Sequence, residues 1–163
     1  VDLAYPDGPH NAEALLVDPR WMDVFIVTKE PNGQSQIFRA RDPYAAASGG
    51  SPSDPLVLEP VGERAFGSAF IRGSNLVTAG DVRPDGSGVL LRTYTGACLF
   101  ERAADQPLHE AMTGECCRVP LAPEPQGEAI AFTRDGQGYA TISEGNASPI
   151  WGFDRAPAPR ESP

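Results

Sequence analysis

Three stretches of this 163-residue chain restate one strand–turn–strand pattern, and that recurrence restricts its fold more than any single motif. The first runs Asn11-Ala12-Glu13-Ala14-Leu15-Leu16-Val17-Asp18-Pro19, then Val24-Phe25-Ile26-Val27-Thr28-Lys29, then Gln36-Ile37-Phe38-Arg39. The last runs Gln126-Gly127-Glu128-Ala129-Ile130-Ala131-Phe132, then Gly138-Tyr139-Ala140-Thr141-Ile142-Ser143-Glu144, then Ile150-Trp151-Gly152-Phe153-Asp154. The same interval separates Glu13 from Lys29 and Glu128 from Glu144. Between them a middle copy, Thr78-Ala79-Gly80-Asp81-Val82, turns at Pro84-Asp85-Gly86 and continues through Val89–Tyr94 and Ala97–Glu101. Repeats of roughly 40 to 50 residues made of antiparallel strands are the mark of propeller blades. The expected fold is all-β: a β-propeller, about three four-stranded blades of a six-bladed ring. The blades are expected over 10–70, 75–120 and 125–155 within a propeller segment 1–155, followed by a Pro-rich tail or linker over 156–163.

Composition agrees where it bears on helices. Seventeen Gly and seventeen Pro supply turns and interrupt helices, because Pro lacks the amide donor and Gly costs conformational entropy. The longest helical pattern, Ala103–Met112, is cut by Pro107 to a short turn near Leu108–Met112. The stretch from Arg41 to Pro55, rich in Ala, Ser and Gly, reads as a mobile projecting loop. No apolar run approaches the roughly 20 residues of a membrane span. A net charge of −9 argues against nucleic acid, whose phosphates call for a basic surface.

Three blades cannot close the ring by which propellers remove exposed sheet edges. The expected partners are therefore the missing blades, supplied by the same protein, a second copy or another chain, together with a small ligand or protein.

The strings Asp7–Leu15, Val77–Val82, Leu91–Thr95 and Pro125–Ala131 resemble a group of bacterial exported six-bladed propellers, near the phytase-like and SdiA-regulated propeller families. The resemblance implies a secreted, periplasmic or cell-surface protein. It also implies that a Glu at this place in the inner strand holds calcium or another divalent cation in the central channel. Glu13, Asp81 and Glu128 are the corresponding acids, with Asn11 and Gln126 as weaker neutral oxygen donors. Carboxylates gathered in a narrow channel repel one another, which a hard cation relieves. The alternative is that these acids are solvated, or paired with Lys29 or Arg92.

A second ring is expected where the second strands end. Thr28-Lys29, Thr93-Tyr94 and Ser143-Glu144 match, each a hydroxyl followed by a functional side chain, with Arg92 adjacent. Lys29, Arg92, Tyr94 and Glu144 are thus the ligand-binding candidates, for a phosphoester or a sugar. The alternative is a set of strand ends that are polar because they meet water.

Enzymatic signals are weak, and a binding or scaffolding role is favoured. The enzymatic alternative is a calcium-dependent, phytase-like phosphoester hydrolase using Lys29 and Arg92 as phosphate contacts. His10 and His109 fall in no metal-ligand spacing, and Ser68 lacks the second Gly of a nucleophile elbow. Cys98, Cys116 and Cys117 are too few for a zinc site; Cys98 either bridges one of the other two or stays reduced.

Overall fold

The computed structural model describes residues 1–48, 55–67 and 70–155. The Pro-rich tail 156–163, Ser68 and the small-residue stretch from Gly49 to Ser53 lie outside the described residues.

The chain begins with the two-residue strand β1 (Leu3–Ala4), followed by β2 (Ala12–Val17), β3 (Val24–Thr28) and β4 (Gln34–Ala40). Helix α1 (Pro43–Ser48) and strand β5 (Leu56–Val57) precede β6 (Glu59–Ala65). Then come β7 (Val77–Val82), β8 (Gly88–Thr93), β9 (Ala97–Glu101), α2 (Leu108–Thr113) and β10 (Cys117–Val119). Strands β11 (Gly127–Phe132), β12 (Gly138–Ser143) and β13 (Ile150–Asp154) end the described structure.

These strands form three antiparallel sheets in sequence order, β2-β3-β4-β6, β7-β8-β9-β10 and β11-β12-β13. The protein is an all-β partial propeller. Its third sheet has three strands among the described residues, one fewer than the four expected. A separate parallel pair, β1 with β5, lies beside the first sheet.

Period-2 alternation sorts each strand's side chains onto two faces. In β2, Ala14 and Leu16 are buried whereas Leu15 and Val17 are exposed. The buried set joins Phe25, Val27 and Ile37 against Val82, Val89, Leu91 and Phe100 of the second sheet, and Leu108 and Met112 of α2 complete this core. A second seam sets Ala79, Leu90 and Ala97 against Ile130, with Phe132 and Tyr139 packed alongside. The opposite face of the first sheet is covered in part, where Val24, Phe38, Ala40 and Leu58 meet Leu3, Tyr5 and Leu56. Inner strand β7 packs against β2 on one side and β11 on the other, so the sheets stand in an arc with their first strands innermost.

Each seam also carries a buried ion pair. Arg102 donates through Nη1 and Nη2 to the two Asp18 carboxylate oxygens at 2.8 and 2.9 Å, with both side chains fully buried. Arg92 donates to Glu124 at 2.8 Å and to the Ala129 carbonyl at 2.9 Å, tying the second sheet to the third.

The segment expected to be a loop from Arg41 contains helix α1. Its start explains it: Asp42 accepts the Ala45 amide at 3.0 Å as an N-cap, and Pro43 at the first helical position loses no hydrogen bond. The other short helix, α2, begins directly after Pro107, as its sequence requires. Cys98 is bonded to Cys116, and Cys117 is free and exposed.

Candidate functional site at the inner-strand ends

All three hairpins share one irregularity, a register shift between Ala12 and Ala14, between Val77 and Ala79, and between Gly127 and Ala129. The bulged residues are therefore Glu13, Thr78 and Glu128. A bulge leaves its residue out of the ladder and re-aims the side chain. The hairpins close alike in the outer two copies, where the Lys29 amide donates to the Asn11 carbonyl and the Glu144 amide to the Gln126 carbonyl, both at 2.8 Å.

From these positions a single hydrogen-bonded chain of side chains crosses three sheets. Lys29 Nζ donates to both Glu13 carboxylate oxygens at 2.8 Å and lies 2.7 Å from the Tyr94 hydroxyl. The Tyr94 hydroxyl donates to Glu128 Oε1 at 3.0 Å. Gln126 Nε2 also donates to Glu128 Oε1, at 3.0 Å, and makes a short bond to Glu144 Oε2. The two expected rings are thus one network: Glu13 and Glu128 from the first, Lys29, Tyr94 and Glu144 from the second, with Gln126 as the bridge.

The charges in this network stabilise one another. Burial disfavours charge on Lys29, but the Glu13 carboxylate and the Tyr94 hydroxyl more than offset it and hold the ammonium above its usual range. The Gln126 amide holds Glu128 below the ordinary carboxylate value; slight burial opposes this, and Tyr94, the Lys29 charge and Glu144 reinforce it. Three carboxylates face one ammonium, so the cluster is acidic on balance.

Asp81 does not join them. The residue equivalent to Glu13 and Glu128 is Thr78, and its hydroxyl donates to the Gly127 carbonyl at 2.9 Å within the seam. Asp81, three residues along β7, accepts the Phe132 amide at 2.7 Å and the Val82 amide at 2.9 Å. Burial raises its pKa above the usual value, against the pull of those two amides. The expected set Glu13, Asp81 and Glu128 does not converge, and no group of three or more His, Cys, Asp or Glu placed to hold a metal ion occurs among the described residues. Asn11 contributes its backbone carbonyl and makes no side-chain bond among the described residues.

Arg92 is also displaced from the expected mouth. It is fully buried at the second seam, where Glu124 holds it and accepts in turn from Thr141 at 2.7 Å. A guanidinium so enclosed cannot meet a ligand at the strand ends. His10 belongs to a loop cluster, bonded to Asp7 at 2.9 Å and packed against Tyr5 and Phe38.

Sequence reasoning missed Thr78 and Glu124. Thr78 had a signal: counting back from Thr93 by the interval that joins Thr28 to Glu13 and Ser143 to Glu128 reaches Thr78. Glu124 had none, because its partner comes from another repeat.

No protein-family model and no curated protein sequence matches the chain. Among solved structures it is similar to the C-terminal WD40 domain of Sif2, with 15% identity, a TM-score of 0.52, and 87% of this chain covered against 34% of that one. A structure described as the complex of KlAtg21 with the coiled-coil of AgAtg16 matches at 11% identity and a TM-score of 0.45, over 88% of this chain and 39% of that one. The chain spans little more than a third of these structures. At such identity the likeness to the WD40 domain shows the propeller fold alone.

Proposed function

We propose that this chain is part of an exported propeller that acts as a binding scaffold, its ligand meeting the inner-strand ends around Glu128, Gln126 and Glu144. The observation that carries this reading is the continuous side-chain network from Glu13 to Glu144, in which each sheet contributes at least one member. A surface assembled from successive blades recognises a ligand by shape and charge. Its surplus of carboxylates favours a cationic group, such as the Lys or Arg side chain of a peptide. The Cys98–Cys116 disulfide supports an oxidising compartment, where such bonds persist. The remaining blades come from the same protein, a second copy or another chain.

A divalent cation is the second reading. It rests on Glu128 and Glu144 alone, since Lys29 occupies Glu13 and backbone amides occupy Asp81. The phytase-like alternative keeps Lys29 as a phosphate contact and loses Arg92.

Calorimetric titration of the full-length protein with a short Arg-rich peptide, beside an acidic peptide of equal length, tests the scaffold. Saturable binding of the basic peptide is expected, weakened about tenfold by Glu128→Gln combined with Glu144→Gln, the scale of one lost charged hydrogen bond. Equal affinity for both peptides overturns it. Adding calcium and then chelator reads the cation: a melting temperature raised only with calcium supports that site. Calcium-dependent phosphate release would instead establish the hydrolase.

A further inference from the structure

Beside the inner-strand network, a half-enclosed cleft of about 640 Å³ lies between strands β6, β8, β9 and β10 and the residues Phe66, Gly67, Ile71 and Ser74. Its size falls among small-molecule sites, which run from about 300 to 1,000 Å³. Phe66, Leu91, Val119 and Leu121 give it apolar walls, and both cysteines of the Cys98–Cys116 bridge line it.

Its charge is the unusual property. The chain has 22 acidic and 13 basic residues, yet the ionisable lining among the described residues consists of two arginines, Arg64 and Arg118, without a carboxylate. Neither is neutralised by an ion pair among the described residues. Arg64, on edge strand β6, is held in place: its Nη1 donates to the Gly114 carbonyl after α2, and its guanidinium lies 5.0 Å from the centre of the Phe100 ring. One N–H of a five-donor fork is used there, and the others are left for a ligand. Arg118, on edge strand β10, is exposed and has no side-chain partner among the described residues.

Apolar walls with two guanidinium groups that have no carboxylate partner among the described residues suit a ligand that is apolar along its length and anionic at one end. Guanidinium and carboxylate are geometrically matched, and their bonds are the strong, charge-assisted kind. We propose that this cleft binds an amphipathic monocarboxylate, its apolar chain or ring against Phe66 and Leu121 and its carboxylate on Arg64 and Arg118. This cleft borders the inner-strand network at Thr93 and Thr95 but is lined by none of the network's side chains, and it does not depend on the role proposed for them.

The test is calorimetric titration of the full chain with decanoate, with decan-1-ol and inorganic phosphate as comparisons. One saturable decanoate site is expected, with both comparison compounds binding at least about tenfold more weakly, because each lacks one half of the recognition. Arg118→Gln, at an exposed residue with no described partner, should weaken decanoate binding while leaving the circular dichroism spectrum unchanged. Thr95→Trp, at an exposed position of the lining, should block the cleft, and Arg41→Gln, outside the lining, should change nothing. Failure of decanoate to saturate overturns the proposal. So does equal binding of the alcohol or of phosphate, or binding that survives both Arg118→Gln and Thr95→Trp.

Discussion

Gly127 shows how a seam between blades constrains one residue. A Cβ at this position would overlap the Arg92 guanidinium and lie 2.7 Å from Glu124 Oε2. Arg92 has no free space to move into, since it is fully buried and bonded to Glu124 and Ala129. Gly127→Ala should therefore separate a buried ion pair and cost about 3 kcal/mol in chemical denaturation. The glycine is needed for the close approach, since its φ lies outside the left-handed region. The two histidines make a second prediction at this scale, with opposite signs. The Asp7 hydrogen bond raises His10; weak burial opposes it, and the Asp7 charge and Glu30 reinforce it. That interaction stabilises the fold below about pH 6.5 and is lost as pH rises through the raised value. Burial, aided by the Arg39 charge, lowers His109, whose ring stacks on Phe25. Its contribution is present above about pH 6.5 and is lost as pH falls through the lowered value. Histidine resonances followed by NMR should titrate on either side of that pH, and Asp7→Asn should move His10 alone.

Among the elements, β9 and β10 show how a short strand is kept in place. Strand β10 has three residues, and its neighbours in sequence are α2 and an irregular segment. Cys117, Arg118 and Val119 pair with Leu99, Cys98 and Ala97, and the Cys98–Cys116 bridge closes the intervening loop over α2. Closing a loop of this length removes entropy from the unfolded chain worth about 3 kcal/mol. Replacing both cysteines by Ser should lower stability by about that amount, measured as a shifted denaturant midpoint. It should also loosen β10 first, seen as faster amide exchange at Val119 than at Leu91. A uniform change in exchange would mean that the bridge acts only through the unfolded state.

At the level of the whole molecule, the arc leaves two sheet faces without a neighbouring sheet among the described residues. On the first, Leu15 is 59% exposed and Val17 38%. On the third, Ala129, Ala131, Ala140, Ile142, Ile150 and Gly152 share a side by alternation and pairing, and Ile150 is 73% exposed. Apolar sheet faces left open to water associate. Light scattering on the isolated segment should show a mass above the 17.3 kDa of one chain, and Leu15→Glu should lower it. A monodisperse monomer that unfolds cooperatively would show that these faces need no partner.

The strands were legible in the sequence because their information is local. Alternating apolar residues, hydroxyls at Thr28, Thr93 and Ser143, and turn residues between them all act within one hairpin. The matching of Lys29, Tyr94 and Glu144 came from that local repeat, and the structure brings these three into one network. Asp81 does not align with the two Glu residues because Thr78 stands at the bulge position in the middle copy, which removes the acidic marker there and leaves Asp81 as the nearest acid in the strand. Arg92 was placed beside Lys29 because the two stand near matching strand ends; its direction depends on which face of β8 meets the third sheet, and the repeat does not specify that. Helix α1 was hidden by small residues that also suit loops, and its cap at Asp42 became decisive only once the chain turned there. The sequence determined the first three strands of each antiparallel sheet and their order, since each depends on neighbours a few residues away. The pairing of Lys29 with Glu13 is local to one hairpin. Tertiary structure alone decided which polar side chains meet across the seams, because Arg102 with Asp18, Arg92 with Glu124 and Tyr94 with Glu128 each come from separate parts of the chain, and only the stacking of sheets brings them within a hydrogen bond.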